Sequence, residues 1–165
     1  MKHIEITDTV LTDTLVIESN TSVSALQLKQ SGWIDVRENA TLTVPQLEQS
    51  GGINVRENTT LTLPKLVESG NIYVHENATL TVPLLKQSGG IEVHENGTLT
   101  APQLVESGRI DVHENATLTL PQLVESDRID VYENATLNLP NLKTYGTITI
   151  REGGKLIAPL IGYTA

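Results

Sequence analysis

The chain of 165 residues contains no cysteine and no phenylalanine. Without cysteine there can be no disulfide and no thiolate metal ligand, and the redox state of the compartment leaves no mark. Aromatic residues make up 3% of the chain, with a single tryptophan, so any core must be thin and aliphatic. Positive charge is scarce. Eleven Lys and Arg stand against 20 Asp and Glu, a formal net charge of -9. That balance disfavours direct contact with nucleic acid or an anionic membrane, and favours solubility or a basic partner. Residues 1–11 hold no long apolar run. Neither a signal peptide nor a membrane span is expected, and a cytoplasmic location is the default.

What is present is repetition. Pro45, Pro64, Pro83, Pro102, Pro121, Pro140 and Pro159 are each 19 residues apart. The stretch from Ser31 to Gln49 returns almost unchanged at that period, the signature of a stacked-repeat architecture. Within one copy the apolar period is two. Ile34 and Val36 alternate with Trp33, Asp35 and Arg37, and Leu42 and Val44 with Thr41 and Thr43. This is the inside/outside alternation of short strands. Glu38-Asn39-Ala40 reads as a turn. Pro45 has no N–H to donate, so it ends a strand or sits at a corner, and Leu47 points inward again.

Nineteen residues with two or three short strands cannot bury their apolar face alone. Parallel stacking of coils solves this, each strand pairing with its equivalent about 4.8 Å away. The fold class expected is all-β: a single-domain parallel β-solenoid of about eight 19-residue coils. The crossover preference makes right-handed coiling the expectation. Residues 1–11 form an N-terminal partial coil or cap, in which Ile4 and Ile6 begin the core. Residues 12–163 form the eight repeats, and 164–165 a C-terminal tail. The first and last copies are degenerate, as the ends of a stack must be.

Each repeat position becomes a row along the rod. The asparagine row, from Asn39 to Asn134, suits a left-handed turn, and its amides are expected to bond to the copies above and below. These positions also match the N-glycosylation acceptor pattern, but the turn gives every asparagine a structural reason. An enzyme site needs different groups converging at one place, whereas the polar groups here are repeated. No nucleophile–base pair, glycine-rich phosphate loop or glycine–aspartate calcium repeat occurs. The chain is expected to be no enzyme, with no cofactor and no metal.

Four features could still carry function. The first is an outward Thr-x-Thr array: Thr41 and Thr43, Thr60 and Thr62, Thr79 and Thr81, Thr98 and Thr100, Thr117 and Thr119. Threonine is also simply a favoured outward strand residue. The second is an acidic stripe. Glu38, Glu57, Glu76, Glu95, Glu114, Glu133 and Glu152 form one row, offset in part by Arg37, Arg56 and Arg151. Glu92, Asp111 and Asp130 add a second outward row. The stripe proper, Glu76, Glu92, Glu95, Asp111, Glu114, Asp130 and Glu133, can act as a solvated face, imitate nucleic-acid phosphates or dock a basic protein. The third is a histidine row, His75, His94 and His113. A straight row does not converge on a tetrahedral metal centre, so a pH effect on stability is the expectation. The fourth is the uncharged C-terminal run. Leu156, Ile157, Leu160, Ile161 and Tyr163 either cap the last coil or join two rods as a homodimer, and the dimer is the expectation.

The Thr-Leu-Thr tripeptides resemble the ice-binding face of hyperactive insect antifreeze proteins, which implies an ice-binding alternative for the threonine array. Copies such as Ser88-Gly89-Gly90-Ile91-Glu92-Val93-His94-Glu95-Asn96-Gly97-Thr98-Leu99-Thr100-Ala101-Pro102-Gln103-Leu104 resemble the repetitive β-solenoid proteins of bacteria and their phages. The period is similar to that of autotransporter adhesin passengers, but neither their secretion signal nor their membrane barrel is expected here. The leading expectation is a non-enzymatic binding module docking a basic partner. An adhesive or purely structural scaffold is a further alternative.

Overall fold

A computed structural model describes residues 2–164 as a parallel β-solenoid. Each regular coil has one long and one short strand. The long strands are Gln30–Val36, Gln49–Val55, Glu68–Val74, Gln87–Val93, Glu106–Val112, Glu125–Val131 and Thr144–Ile150. With Leu15–Ile17 they make a continuous eight-stranded sheet. Pairing joins residues one period apart, such as Ile53 with Ile72 and Val55 with Val74. The short strands run from Thr21–Ser24 through Thr41–Thr43 and onward to Lys155–Ala158.

The alternation in sequence sets which side chains face inward. In one central coil Ile72, Val74, Ala78, Leu80, Val82 and Leu85 are all buried. Their equivalents above and below extend these rows into one aliphatic core. Burial of each large aliphatic side chain contributes about 1.5–3 kcal/mol. A coil realises that gain only when its neighbours cover it.

Two turns close each coil. In the first, Ala40 N–H donates to the Arg37 carbonyl, and Asn39 sits at φ 56. Every equivalent asparagine has positive φ, and Gly153 replaces it in the last coil at φ 71. Asparagine and glycine tolerate this left-handed geometry. Among the described residues no hydrogen bond joins one turn amide to the next. Asn115 instead reaches Glu95. The asparagine row is therefore a backbone requirement, and the expected amide ladder does not form. In the second turn Leu47 N–H donates to the Val44 carbonyl across Pro45-Gln46. Proline presets φ for this first central position and gives up no bond.

The ends differ from the expectation in detail. Lys2–Glu5 pairs with Thr21–Ser24, 19 residues on, with Ile4 opposite Val23. Ile4 is nevertheless exposed, and of the two only Ile6 packs against the core. At the other end a 3-10 turn over Pro159–Ile161 reverses the chain. Tyr163–Thr164 then pairs antiparallel with Lys155–Ala158. The tail thus covers the edge of the last short strand. Leu156 is buried, and Ile161 and Tyr163 pack against the core, so these three do not offer the free apolar end expected of them. Ile157 is partly buried, and Leu160 remains exposed. Among the described residues no helix is long and apolar enough to cross a membrane.

Candidate functional site

The core rows and turns hardly vary from coil to coil. The outward face of the long-strand sheet does. One row on it reads Asp35, Asn54, Tyr73, Glu92, Asp111, Asp130, Thr149. The next reads Arg37, Arg56, His75, His94, His113, Tyr132, Arg151. Stacking does not demand these changes, since any outward residue fits the pleat. This face is the candidate site.

Its centre is an aromatic stack. The rings of His75 and His94 lie 5.2 Å apart, those of His94 and His113 4.2 Å, and those of His113 and Tyr132 4.5 Å. The Arg151 guanidinium sits 4.4 Å from the Tyr132 ring centre and closes the stack as a cation–π contact. Parallel pairing at a fixed register produces this stack from residues 19 positions apart. A smaller stack, Trp33 with Tyr73 at 5.9 Å, bridges the coil of Gly52. The Trp33 ring lies where a side chain at Gly52 would go.

Beside the histidines the turn glutamates stand out into solvent. Glu57, Glu76, Glu95 and Glu114, with His75, His94 and His113, line an open groove of about 200 Å³. The arginines expected to neutralise this row are engaged elsewhere. Arg37 pairs with Glu18 at 2.6 Å, Arg56 with Asp35 at 2.9 Å, and Arg151 stacks on Tyr132. The glutamate row keeps more of its negative potential than the sequence suggests. The nearest cation-forming groups are His75 Nδ1, 3.6 Å from Glu57, and His113 Nδ1, 3.9 Å from Glu114.

The second acidic row needs a correction. Glu92 is partly exposed, but Asp111 and Asp130 are buried. Arg109 lies over Asp111, and Arg128 Nε donates to Asp130 at 2.6 Å. Arginine stems cover these short side chains, so the two aspartates do not belong to the exposed stripe. Burial pushes the Asp111 carboxyl above the usual range, opposed by Arg109, and Asp130 beside it adds to the rise. The stripe that remains at the surface is Glu76, Glu92, Glu95, Glu114 and Glu133.

Burial also lowers the affinity of His75 and His94 for protons, and for His94 the neighbouring imidazoles add to the effect. His75 is further held by Asn54, whose Oδ1 lies 2.7 Å from Nε2. The direction of the pH effect follows. Each of these two histidines binds protons less readily folded than unfolded. Its stabilising share is present above about pH 6.5 and falls as the pH drops below that value. Melting temperature is expected to fall between about pH 6.5 and about pH 5. His94→Tyr, which copies Tyr132, should flatten the curve. A flat curve for the unaltered protein would contradict this reading.

The threonine array projects outward as expected, although Thr79 and Thr81 are only partly exposed. It is not one continuous ladder. Strand pairing stops between Thr41–Thr43 and Thr60–Thr62, and again between Thr98–Thr100 and Thr117–Thr119. A feature missed in the sequence lies at the Ser-Gly corner. Gln30, Gln49 and Glu68 form a hydrogen-bonded row there, beside Ser31 and Ser50. The repeated Gln/Glu-Ser-Gly triplet was its only signal; Ser50 donates to the Gly52 carbonyl, whereas the buried Ser69 hydroxyl has no hydrogen-bond partner. No protein-family model matches the chain, and no curated protein and no solved structure matches it.

Proposed function

We propose that this chain is a non-enzymatic, rigid acidic rod that docks a basic macromolecular surface, the kind that a nucleic-acid-binding protein presents. The observation that carries the reading is the groove between the glutamate and histidine rows. Exposed carboxylates there stand at a fixed spacing of about 4.8 Å, without arginine partners. Packed coils hold the groove in place, so a partner's lysine and arginine side chains meet a preorganised set of acceptors. Trp33 and Tyr73, on the same face, add the aromatic surface that binding sites favour. A phage or prophage protein that occupies a host's defence or nucleic-acid-binding protein is the setting that suits such a rod.

The test is binding to a basic DNA-binding protein, with and without competing DNA. Affinity should fall as salt rises, and DNA should displace the rod. Replacing Glu76, Glu95 and Glu114 together with glutamine should weaken binding by about tenfold, since each exposed pair contributes about 0.2–1 kcal/mol. Unchanged affinity in that triple variant would remove the groove from consideration.

Ice binding through the outward threonine rows is the second reading, favoured by the exposure of Thr41, Thr43, Thr60 and Thr62. The two breaks in strand pairing weigh against a single flat face. Thermal hysteresis lost on Thr79→Tyr, and kept in the glutamine triple variant, would select it over the acidic groove.

A further inference from the structure

We propose that Glu92, His94 and His113 form a binding site for one divalent transition-metal ion, of which zinc is the type. The three residues come from adjacent coils and two different rows. His94 Nε2 lies 3.9 Å from Glu92 Oε2, and His113 Nε2 lies 3.8 Å from the same oxygen. All three ligand atoms fall within 4.8 Å of one another. The histidine row alone does not converge on a point. The carboxylate from the neighbouring row supplies the convergence.

Two further observations point to a cation there. His113 Nε2 is buried and has no hydrogen-bond partner. Its other nitrogen, Nδ1, faces the Glu114 carboxylate at 3.9 Å. That neighbour favours the tautomer with the proton on Nδ1, leaving the Nε2 lone pair aimed at Glu92. The His113 lone pair and the Glu92 carboxylate then lie 3.8 Å apart with no hydrogen bond between them, and a cation at that point relieves the repulsion. The orientation matches the carboxylate–histidine–metal arrangement that fixes ligand rings in metal sites. Arg109 Nη1, 4.0 Å from Glu92 Oε1, holds the far side of the carboxylate, while its other nitrogen is committed to Asp111.

The distances suit a modest closure. Zinc takes nitrogen and oxygen ligands at about 2.0–2.2 Å, which puts tetrahedral ligand atoms roughly 3.3 Å apart. The two imidazole nitrogens need to close on Glu92 Oε2 by about half an ångström each, and on one another by at most about 1.5 Å, which side-chain rotations supply. Two histidines and one carboxylate leave a fourth position open to water. His75 is excluded, because its Nε2 is engaged by Asn54 at 2.7 Å.

The experiment is calorimetric titration of tag-free protein with zinc chloride alone. One equivalent is expected to bind. Glu92→Asn and His113→Tyr copy Asn54 and Tyr132 from the same rows, so the coil keeps residues it already accommodates. Each should weaken binding at least about a hundredfold, beyond the 10–100-fold typical of outer-sphere partners. His75→Tyr should leave the stoichiometry and affinity unchanged. Circular dichroism confirms that each variant is folded. Absence of one-to-one binding in the unaltered protein overturns the proposal, as does zinc affinity that survives both Glu92→Asn and His113→Tyr. The titration involves no macromolecular partner, so its outcome is independent of the docking reading.

Discussion

Leu80→Ala is expected to destabilise the rod by about 3 kcal/mol and to lower its melting temperature by about 6–12 °C. Leu80 is fully buried in a central coil, between the Leu61 and Leu99 positions of its row. Removing its isobutyl group forfeits the transfer free energy and leaves a cavity. Stacked strands above and below limit the collapse that could refill it. The location adds a second effect. Each coil contacts only its neighbours, so stability is close to a sum over adjacent pairs. A weak central pair uncouples the two halves. Hydrogen exchange should then show the coils before and after Leu80 opening with different free energies. Leu160→Ala is the control. Leu160 is 57% exposed, so its loss should change stability by no more than about 0.5 kcal/mol. Equal effects from both substitutions would mean that the core is not organised as a continuous row.

Arg109→Ala is expected to destabilise by about 3 kcal/mol at neutral pH, with most of the loss recovered in acid. Asp111 is fully buried and Asp130 nearly so, and each lies under an arginine from its own strand. Taking away Arg109 strands the Asp111 carboxylate beside Asp130, with no compensating charge. The value lies at the low end for a broken buried pair, because Arg109 is itself 45% exposed and water can enter its place. The pH sign follows from Asp111. Burial raises its folded affinity for a proton above the unfolded value. Its favourable share is complete below about pH 3.8 and is lost as pH rises through the folded value. Without Arg109 that value rises further. The gap between variant and unaltered protein should therefore narrow as pH is lowered, in urea melts at pH 7 and 4. A gap that stays constant would mean that Arg109 contributes through packing of its stem alone.

The sequence alone determined the solenoid. A 19-residue period with apolar residues at every second position has one economical solution, the parallel coil stack. Asn39 and Pro45 marked its turns, because each residue type carries its own backbone preference. Even the register of the partial first coil, Ile4 opposite Val23, could be read by alignment with the next copy. The candidate face was legible as a set of rows but not as a set of contacts. A row position says that a side chain points outward. It does not say whether a longer neighbour covers it, as Arg109 covers Asp111. Nor does it say which carboxylate an arginine chooses: Arg56 forms its ion pair with Asp35 rather than with the adjacent Glu57. The meeting of Glu92 with two imidazoles from its own and the next coil likewise depends on side-chain reach across rows. Backbone periodicity is local and repeats, so it is written into every copy. Pairings between rows depend on side-chain length, rotamer and burial at one place in the stack, and only the assembled rod decides them.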